Sequence, residues 1–119
     1  MKILFDAMGG DNAPDANITG AVNAIEKINA EIILIGNEKI LNERIKELYG
    51  KENIIELSDR IKIVNAEEEI TMEDSPTKAI KAKKNSSMVV GFNMLKNGEG
   101  DVFLSAGNSG ALLAGATLL

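Results

Sequence analysis

The 119-residue sequence contains no cysteine, no histidine and no tryptophan. Disulfide bonds, thiol catalysis, thiolate metal sites and acid–base chemistry by imidazole are therefore excluded from this stretch of chain. No apolar run approaches the roughly 20 residues that cross a bilayer. The first apolar run is too short for a signal peptide and ends at Asp6. A cytoplasmic location is the resulting expectation.

Basic residues are outnumbered, since 13 Lys and Arg stand against 18 Asp and Glu, for a net charge of −5. A nucleic-acid surface needs a basic face, so this balance argues against a nucleic-acid partner. The apolar fraction of 45% is ordinary for a soluble globular protein, and the length suffices for one domain. Because the chain stops inside an apolar helical run at residues 114–119, we expect it to be a fragment of a longer protein.

Residues 102–113 form the most informative stretch. An apolar run of β type enters a turn of small residues, and an Ala/Leu-rich run leaves it, which is typical of strand, tight loop and helix. Gly107 and Gly110 allow a sharp turn close to a ligand, and Asn108 or Ser109 suits the helix N-cap. Free N–H groups and the positive helix end would then favour an anion. The alternative is a plain strand–helix connection whose glycines only save space.

Periodicity predicts a mostly parallel sheet covered by helices. The predicted strands are residues 2–6, 31–36, 61–65 and 101–105. The predicted helices begin near Pro14, at residues 38, 76 and 88, and after residue 109. Asn37 is the predicted cap of the second helix and Gly50 its stop, and the third helix is predicted to run to residue 84. The inner faces of the helices are assigned to Ile18, Val22, Ile25, Ile28, Leu41, Ile45, Leu48, Met88, Phe92 and Leu95. Residues 51–59 are ambiguous between a helix extension and a minor strand.

Acidic and small residues follow the first strand at Asp6, Gly9, Gly10 and Asp11. The acids could bind a metal, orient a Lys or Arg, or cap the next helix, whereas the simpler interpretation is a turn. Ligands of open α/β sheets lie beyond the carboxyl ends of strands, and two acids at one strand end favour a functional role somewhat.

Lysines are concentrated in residues 78–84. A solvated basic helix explains them, but Lys81, with Lys84, could instead point into a cleft toward an anionic substrate. The three acids at 67–69 are interpreted as a solvated face.

Three motifs carry a resemblance to a known family: Asp6 to Asp11, Pro76 to Met88, and Ser105 to Ala111. Their residues and order resemble the PlsX family, the bacterial acyl–acyl carrier protein:phosphate acyltransferases of phospholipid synthesis. Two positions depart from the family pattern, since Lys81 replaces the usual Arg and Ser109 the usual Thr. Lys lacks the bidentate fork of Arg, so a planar clamp on phosphate is not expected at Lys81.

The resemblance implies a three-layer α/β/α sandwich with a mostly parallel sheet, similar to the isopropylmalate dehydrogenase/phosphotransacetylase group. It implies that residues 1–119 are the N-terminal part of a single phosphate acyltransferase catalytic domain. It further implies a homodimer that takes an acyl group from acyl carrier protein and associates peripherally with the membrane through a helical hairpin outside this chain. The reaction requires no metal ion and no cofactor, so neither is expected.

The family resemblance and the preference of helix N-termini for anions together define the expected site. Lys81 and Asn108 are the candidate catalytic residues, one as a positive charge and the other as a ligand of phosphate or the oxyanion. The candidate substrate- and phosphate-binding residues are Asp6, Gly9, Gly10, Asp11, Ser86, Ser87, Ser105, Gly107, Ser109 and Gly110. Two alternatives remain: a phosphotransacetylase-like enzyme acting on a small acyl thioester, and an inactive fragment that binds an anion or dimerises.

Overall fold

A computed structural model describes residues 1–71 and 74–107 of the chain. The strands are β1 (Lys2–Asp6), β2 (Glu31–Gly36), β3 (Ile61–Asn65) and β4 (Val102–Leu104). The helices are α1 (Asp15–Ile25), α2 (Glu38–Tyr49), α3 (Pro76–Ala82) and α4 (Ser87–Lys96), with a short 3₁₀ helix at Ile54–Glu56. The predicted helix after residue 109 lies outside the described residues.

The four strands form one parallel sheet in the order β3-β2-β1-β4. Both faces are covered, which is why the central strand β2 is a continuous apolar run. On one face, Ile32 and Leu34 join the core made with α1 and α2. On the other, Leu4, Ile33 and Ile35 pack against side chains of α4. The architecture is the predicted α/β sandwich, with helices on either side of the sheet.

The strand order reverses next to β1. The chain places β2 and then β3 on one side of β1, and afterwards returns through α3 and α4 to place β4 on the other side. The carboxyl ends of β1 and β4 are therefore neighbours at the point where the winding changes direction. Open α/β sheets bind ligands at such points, and the chain sets Asp6 and Ser105 there.

The residues at the two ends of α2 explain where this helix begins and ends. The Asn37 side chain accepts a hydrogen bond from Ile40 N, and Gly50 ends the helix with a φ of 69°. These are the cap and the stop that the sequence predicts.

Some predicted faces and ends were wrong. The apolar stripe of α1 continues in the sequence to Ile28, but the helix ends at Ile25 and Ile28 is exposed. The Arg60 guanidinium donates hydrogen bonds to the carbonyls of Ile25 and Ile28, which satisfies groups that a helix end leaves free. In α2, Leu48 is likewise exposed, and Tyr49 packs against the core instead.

Other bounds moved by one or two residues. α3 ends at Ala82 rather than residue 84, and β4 is shorter than predicted at both ends. The ambiguous segment 51–59 contains the 3₁₀ helix, whose capping box joins Asn53 and Glu56. Phe92 and Leu95 of α4 are only partly buried, although both contact the core as expected.

We predict opposite effects for alanine at two helical glycines, Gly91 and Gly20. A Cβ at Gly91 would overlap the ring of Phe103, whereas a Cβ at Gly20 meets nothing within 4 Å. Gly91→Ala should lower the free energy of unfolding by about 1–2 kcal/mol, because the clash outweighs the gain in helix propensity. Gly20→Ala should raise it by about 0.5–1 kcal/mol. Urea denaturation of the complete protein measures both, and equal changes would contradict the packing of α4 on Phe103.

Candidate functional site

The Asp6 carboxylate is the centre of the candidate site. It lies at the carboxyl end of β1 and is only 2% exposed. Oδ1 accepts hydrogen bonds from the Ser87 hydroxyl at 2.5 Å and from Met8 N at 3.1 Å. Oδ2 accepts one from the Ser105 hydroxyl at 2.8 Å. One buried side chain therefore connects the end of β1, the start of α4 and the residue after β4.

Ser87 is the first residue of α4, so its contact places the Asp6 carboxylate beside that helix N-terminus. Negative charge is stabilised there by the helix dipole. The preceding residue, Ser86, is fully buried and accepts a hydrogen bond from Val89 N, which caps the helix. Both serines of the middle motif thus contact protein groups at the N-terminal end of α4.

Ser105 connects Asp6 to the turn that follows β4. Its Oγ donates to Asp6 and accepts a hydrogen bond from Gly107 N at 3.1 Å. This is a local turn in which a hydroxyl accepts from the amide two residues ahead. The Gly107 amide is therefore bound within the protein.

Two glycines allow the loops after β1 and β4 to touch. A Cβ on Gly9 would lie 2.8 Å from Asp6 Oδ2 and 2.9 Å from Gly107 N, so any side chain there would force the loops apart. Gly10 has a φ of 100°, which L side chains rarely adopt. The close approach at Gly9 is thus one between two protein loops.

Asn17 is a residue that sequence reasoning missed. Its side-chain amide is buried in α1 and donates to the carbonyl oxygens of Ala7 and Gly9, both at 2.9 Å. It fixes the loop between β1 and α1 against the helix. The available signal was a polar residue directly before Ile18 on the inner face of an otherwise apolar helix.

The charged candidates are more exposed than Asp6. Asp11 and Lys81 both lie at the surface, and among residues 1–71 and 74–107 neither forms an ion pair. No hydrogen bond in those ranges joins Lys81 to Asp6, Ser87 or Ser105, so its predicted catalytic role stays a prediction. Asn108, Ser109 and Gly110 lie outside the described residues.

Lys83, a neighbour of Lys81 in the middle motif, has a structural partner. Its ammonium donates to Asp74 at 2.8 Å and to the Glu69 carbonyl at 2.9 Å, which ties α3 to the preceding loop. The hydrogen bond from Lys83 holds the pKa of Asp74 below its ordinary value.

Two surface depressions lie at the edge of the sheet where the strands have their carboxyl ends. One, of about 260 Å³, is lined by Met8, Asn37 and Ile40 with residues 66–69. The other, of about 550 Å³, lies over the N-terminus of α2 and includes Asn65. Of the predicted site residues that the structure describes, none lines either depression. Within the described ranges, no group of three acidic side chains is arranged to bind a metal ion, and no helix is long and apolar enough to cross a membrane.

We predict that the two contacts of Asn17 stabilise the loop next to the site. Asn17→Ala leaves two carbonyls without their donor and should lower the free energy of unfolding by about 1–3 kcal/mol. Asn23→Ala, on the exposed face of the same helix, makes the same chemical change without such contacts and serves as the control. Urea denaturation of the complete protein compares them, and an equal effect of both variants would contradict the role of Asn17.

Comparison with known proteins agrees with the motifs. Residues 1–119 match the family described as fatty acid synthesis protein. The phosphate acyltransferase of Acetivibrio thermocellus is 53% identical over 120 residues, covering 100% of this chain and 34% of that protein. The phosphate acyltransferase of Alkaliphilus oremlandii is 48% identical with the same coverage, and that of Clostridioides difficile is 46% identical over 97% of this chain and 32% of that protein. The chain thus spans about one third of the length of these relatives. It belongs to the fatty acid synthesis protein family, the PlsX family that its three motifs resemble.

Proposed function

We propose that the complete protein transfers a fatty acyl group from acyl carrier protein to inorganic phosphate, giving an acyl phosphate for phospholipid synthesis. The observation that carries this proposal is the match along the entire chain to relatives named phosphate acyltransferase. The position of Asp6, Ser87 and Ser105 at the reversal of strand order supports it, because that is where α/β sheets bind ligands.

The proposed reaction is a direct attack of phosphate on a thioester. A phosphate oxygen attacks the carbonyl carbon of the thioester, so that a C–O bond forms and, as the tetrahedral intermediate collapses, the C–S bond breaks. The electron pair leaves with sulfur, and the proton of hydrogen phosphate ends on the thiol. The protein's tasks are to hold phosphate beside the thioester and to stabilise the oxyanion.

The predicted residues other than Asp6, Ser105 and Gly107 have the following proposed tasks. Asn108 and Ser109, with the amides up to Gly110, hold phosphate or the oxyanion, and Lys81 adds positive charge. Ser86 and Ser87 support the site from the start of α4, where both are buried. Gly9 and Gly10 let the loop after β1 approach closely, and Asp11 orients a cationic group at its rim. This allocation rests on the motifs and on the physics of helix ends.

The remaining features of the proposal come from the family resemblance. Residues 1–119 would be the N-terminal part of a single catalytic domain, in a cytoplasmic homodimer that acts on acyl carrier protein. Peripheral association with the membrane would use residues other than those described here. The size of the purified complete protein in solution tests the dimer, and sedimentation with vesicles tests the association.

We predict that Lys81→Ala and Asn108→Ala each lower acyl phosphate formation about a hundredfold in the complete protein, the loss typical of removing one group that stabilises an oxyanion. The assay uses palmitoyl–acyl carrier protein and inorganic phosphate as substrates. Lys78→Ala is the matched control, because Lys78 is exposed one turn earlier on α3 and has no proposed task.

The outcomes of this assay separate the alternatives. Wild-type rates in both variants, with unchanged phosphate affinity, would contradict the assigned residues. A wild-type protein that uses acetyl-coenzyme A but not palmitoyl–acyl carrier protein would instead support the small-acyl transferase. A folded complete protein with neither activity would contradict the proposed function.

A further inference from the structure

We propose that Asp6 is a positioning residue that acts through the Ser105 hydroxyl on the turn at residues 105–107. In this role it sets the phosphate affinity of the site without contacting phosphate itself. The inference rests on the proposed function, because it assumes that phosphate binds next to this turn.

Asp6 is surrounded by hydrogen-bond donors of the protein itself. Its carboxylate is 2% exposed, and its two oxygens already accept three hydrogen bonds, from Ser87, Ser105 and Met8. Among the described residues, no Lys or Arg pairs with it. A buried carboxylate with its own donors neither attracts an anion nor presents a free oxygen to a substrate. Asp6 is therefore a structural charge whose partners are hydroxyl and amide groups.

The hydroxyl proton of Ser105 is used within the protein. A hydroxyl carries one hydrogen, and at Ser105 that hydrogen is donated to Asp6 Oδ2. The same oxygen then accepts from Gly107 N. Neither the Ser105 hydroxyl nor the Gly107 amide is left to donate to phosphate. Both groups instead hold the turn at residues 105–107 in place.

The turn at residues 105–107 has little free space around it. Gly9 packs so closely on Asp6 Oδ2 and Gly107 N that no Cβ fits between them. A Cβ on Gly107 would itself lie 3.2 Å from Ser105 Oγ and 3.4 Å from the Cα of Gly9. The turn is thus held between the loop after β1 and the Asp6–Ser105 hydrogen bond. Breaking that bond releases one side of the turn and leaves the sheet itself intact.

The test compares Ser105→Ala with two further variants in the complete protein, using initial rates with palmitoyl–acyl carrier protein and inorganic phosphate. Ser105→Ala should raise the KM for phosphate about tenfold, the usual effect of one misplaced contact, and leave the KM for the acyl donor unchanged. Ser105→Thr keeps the hydroxyl and should restore the KM for phosphate. Ser58→Ala is the matched control, because Ser58 Oγ accepts from Arg60 N in the same kind of turn but lies before β3, away from the site.

A double-mutant comparison tests whether Asp6 acts through Ser105. Asp6→Asn should raise the KM for phosphate by a similar factor, and the Asp6→Asn/Ser105→Ala double variant should be no worse than the more affected single variant. Independent, multiplying effects would overturn the proposed route. So would a Ser105→Ala protein that loses thermal stability or kcat while its KM for phosphate stays at the wild-type value. If Asp6→Asn fails to fold, the Ser105 hydroxyl that the proposal requires is still tested: a wild-type KM for phosphate in Ser105→Ala overturns the proposal, and a raised KM that Ser105→Thr restores supports it.

Failure of this inference is distinguishable from failure of the proposed function. An active wild-type enzyme whose Ser105→Ala variant binds phosphate normally overturns the inference alone. An inactive but folded wild-type protein overturns the proposed function, and calorimetric titration with inorganic phosphate then tests the inference directly. Weaker phosphate binding by Ser105→Ala than by wild type supports it, whereas equal binding or no binding by either overturns it.

Discussion

The arrangement of this end of the molecule depends on one buried negative charge. A carboxylate removed from water must be satisfied by nearby donors, and Asp6 finds them in two hydroxyls and one amide. Those hydroxyls belong to Ser87 and Ser105, which lie 81 and 99 residues away in the sequence. The same charge is favourable beside the N-terminus of α4. The requirement to satisfy one side chain thus fixes three elements relative to one another.

The parallel sheet explains why these residues meet. In the order β3-β2-β1-β4, β1 and β4 are neighbours although most of the chain separates them. Their carboxyl ends lie at the same edge, and Gly9 and Gly107 allow the loops that follow to touch. The family match places this arrangement among relatives named phosphate acyltransferase, all of them about three times as long as this chain. The activity in their name is the one that we propose for the complete protein.

Local chemistry decided which features the sequence could predict. The bounds of β1, β2 and β3 follow from apolar runs with clear ends, and α2 from the cap at Asn37 and the stop at Gly50. The end of α1 was missed because Arg60, which binds its last carbonyls, lies 35 residues beyond Ile25. Asn17 was missed for a similar reason, since its partners are carbonyls of a loop whose path no sequence pattern specifies. Asp6, Ser87 and Ser105 were all candidates, but their pairing required the topology.

The long sequence separations in the site have a consequence for how it forms. The pairing of β1 with β4 and the contacts of Asp6 connect the first residues of the chain to its hundredth and beyond. Such non-local contacts carry a large loop-closure entropy and form slowly compared with helices. During synthesis, β1 and its acid emerge long before Ser87 and Ser105 exist to satisfy it. Ser105 reaches Asp6 only when β4 is paired with β1, so we expect the last of the three hydrogen bonds to this charge to form late in folding.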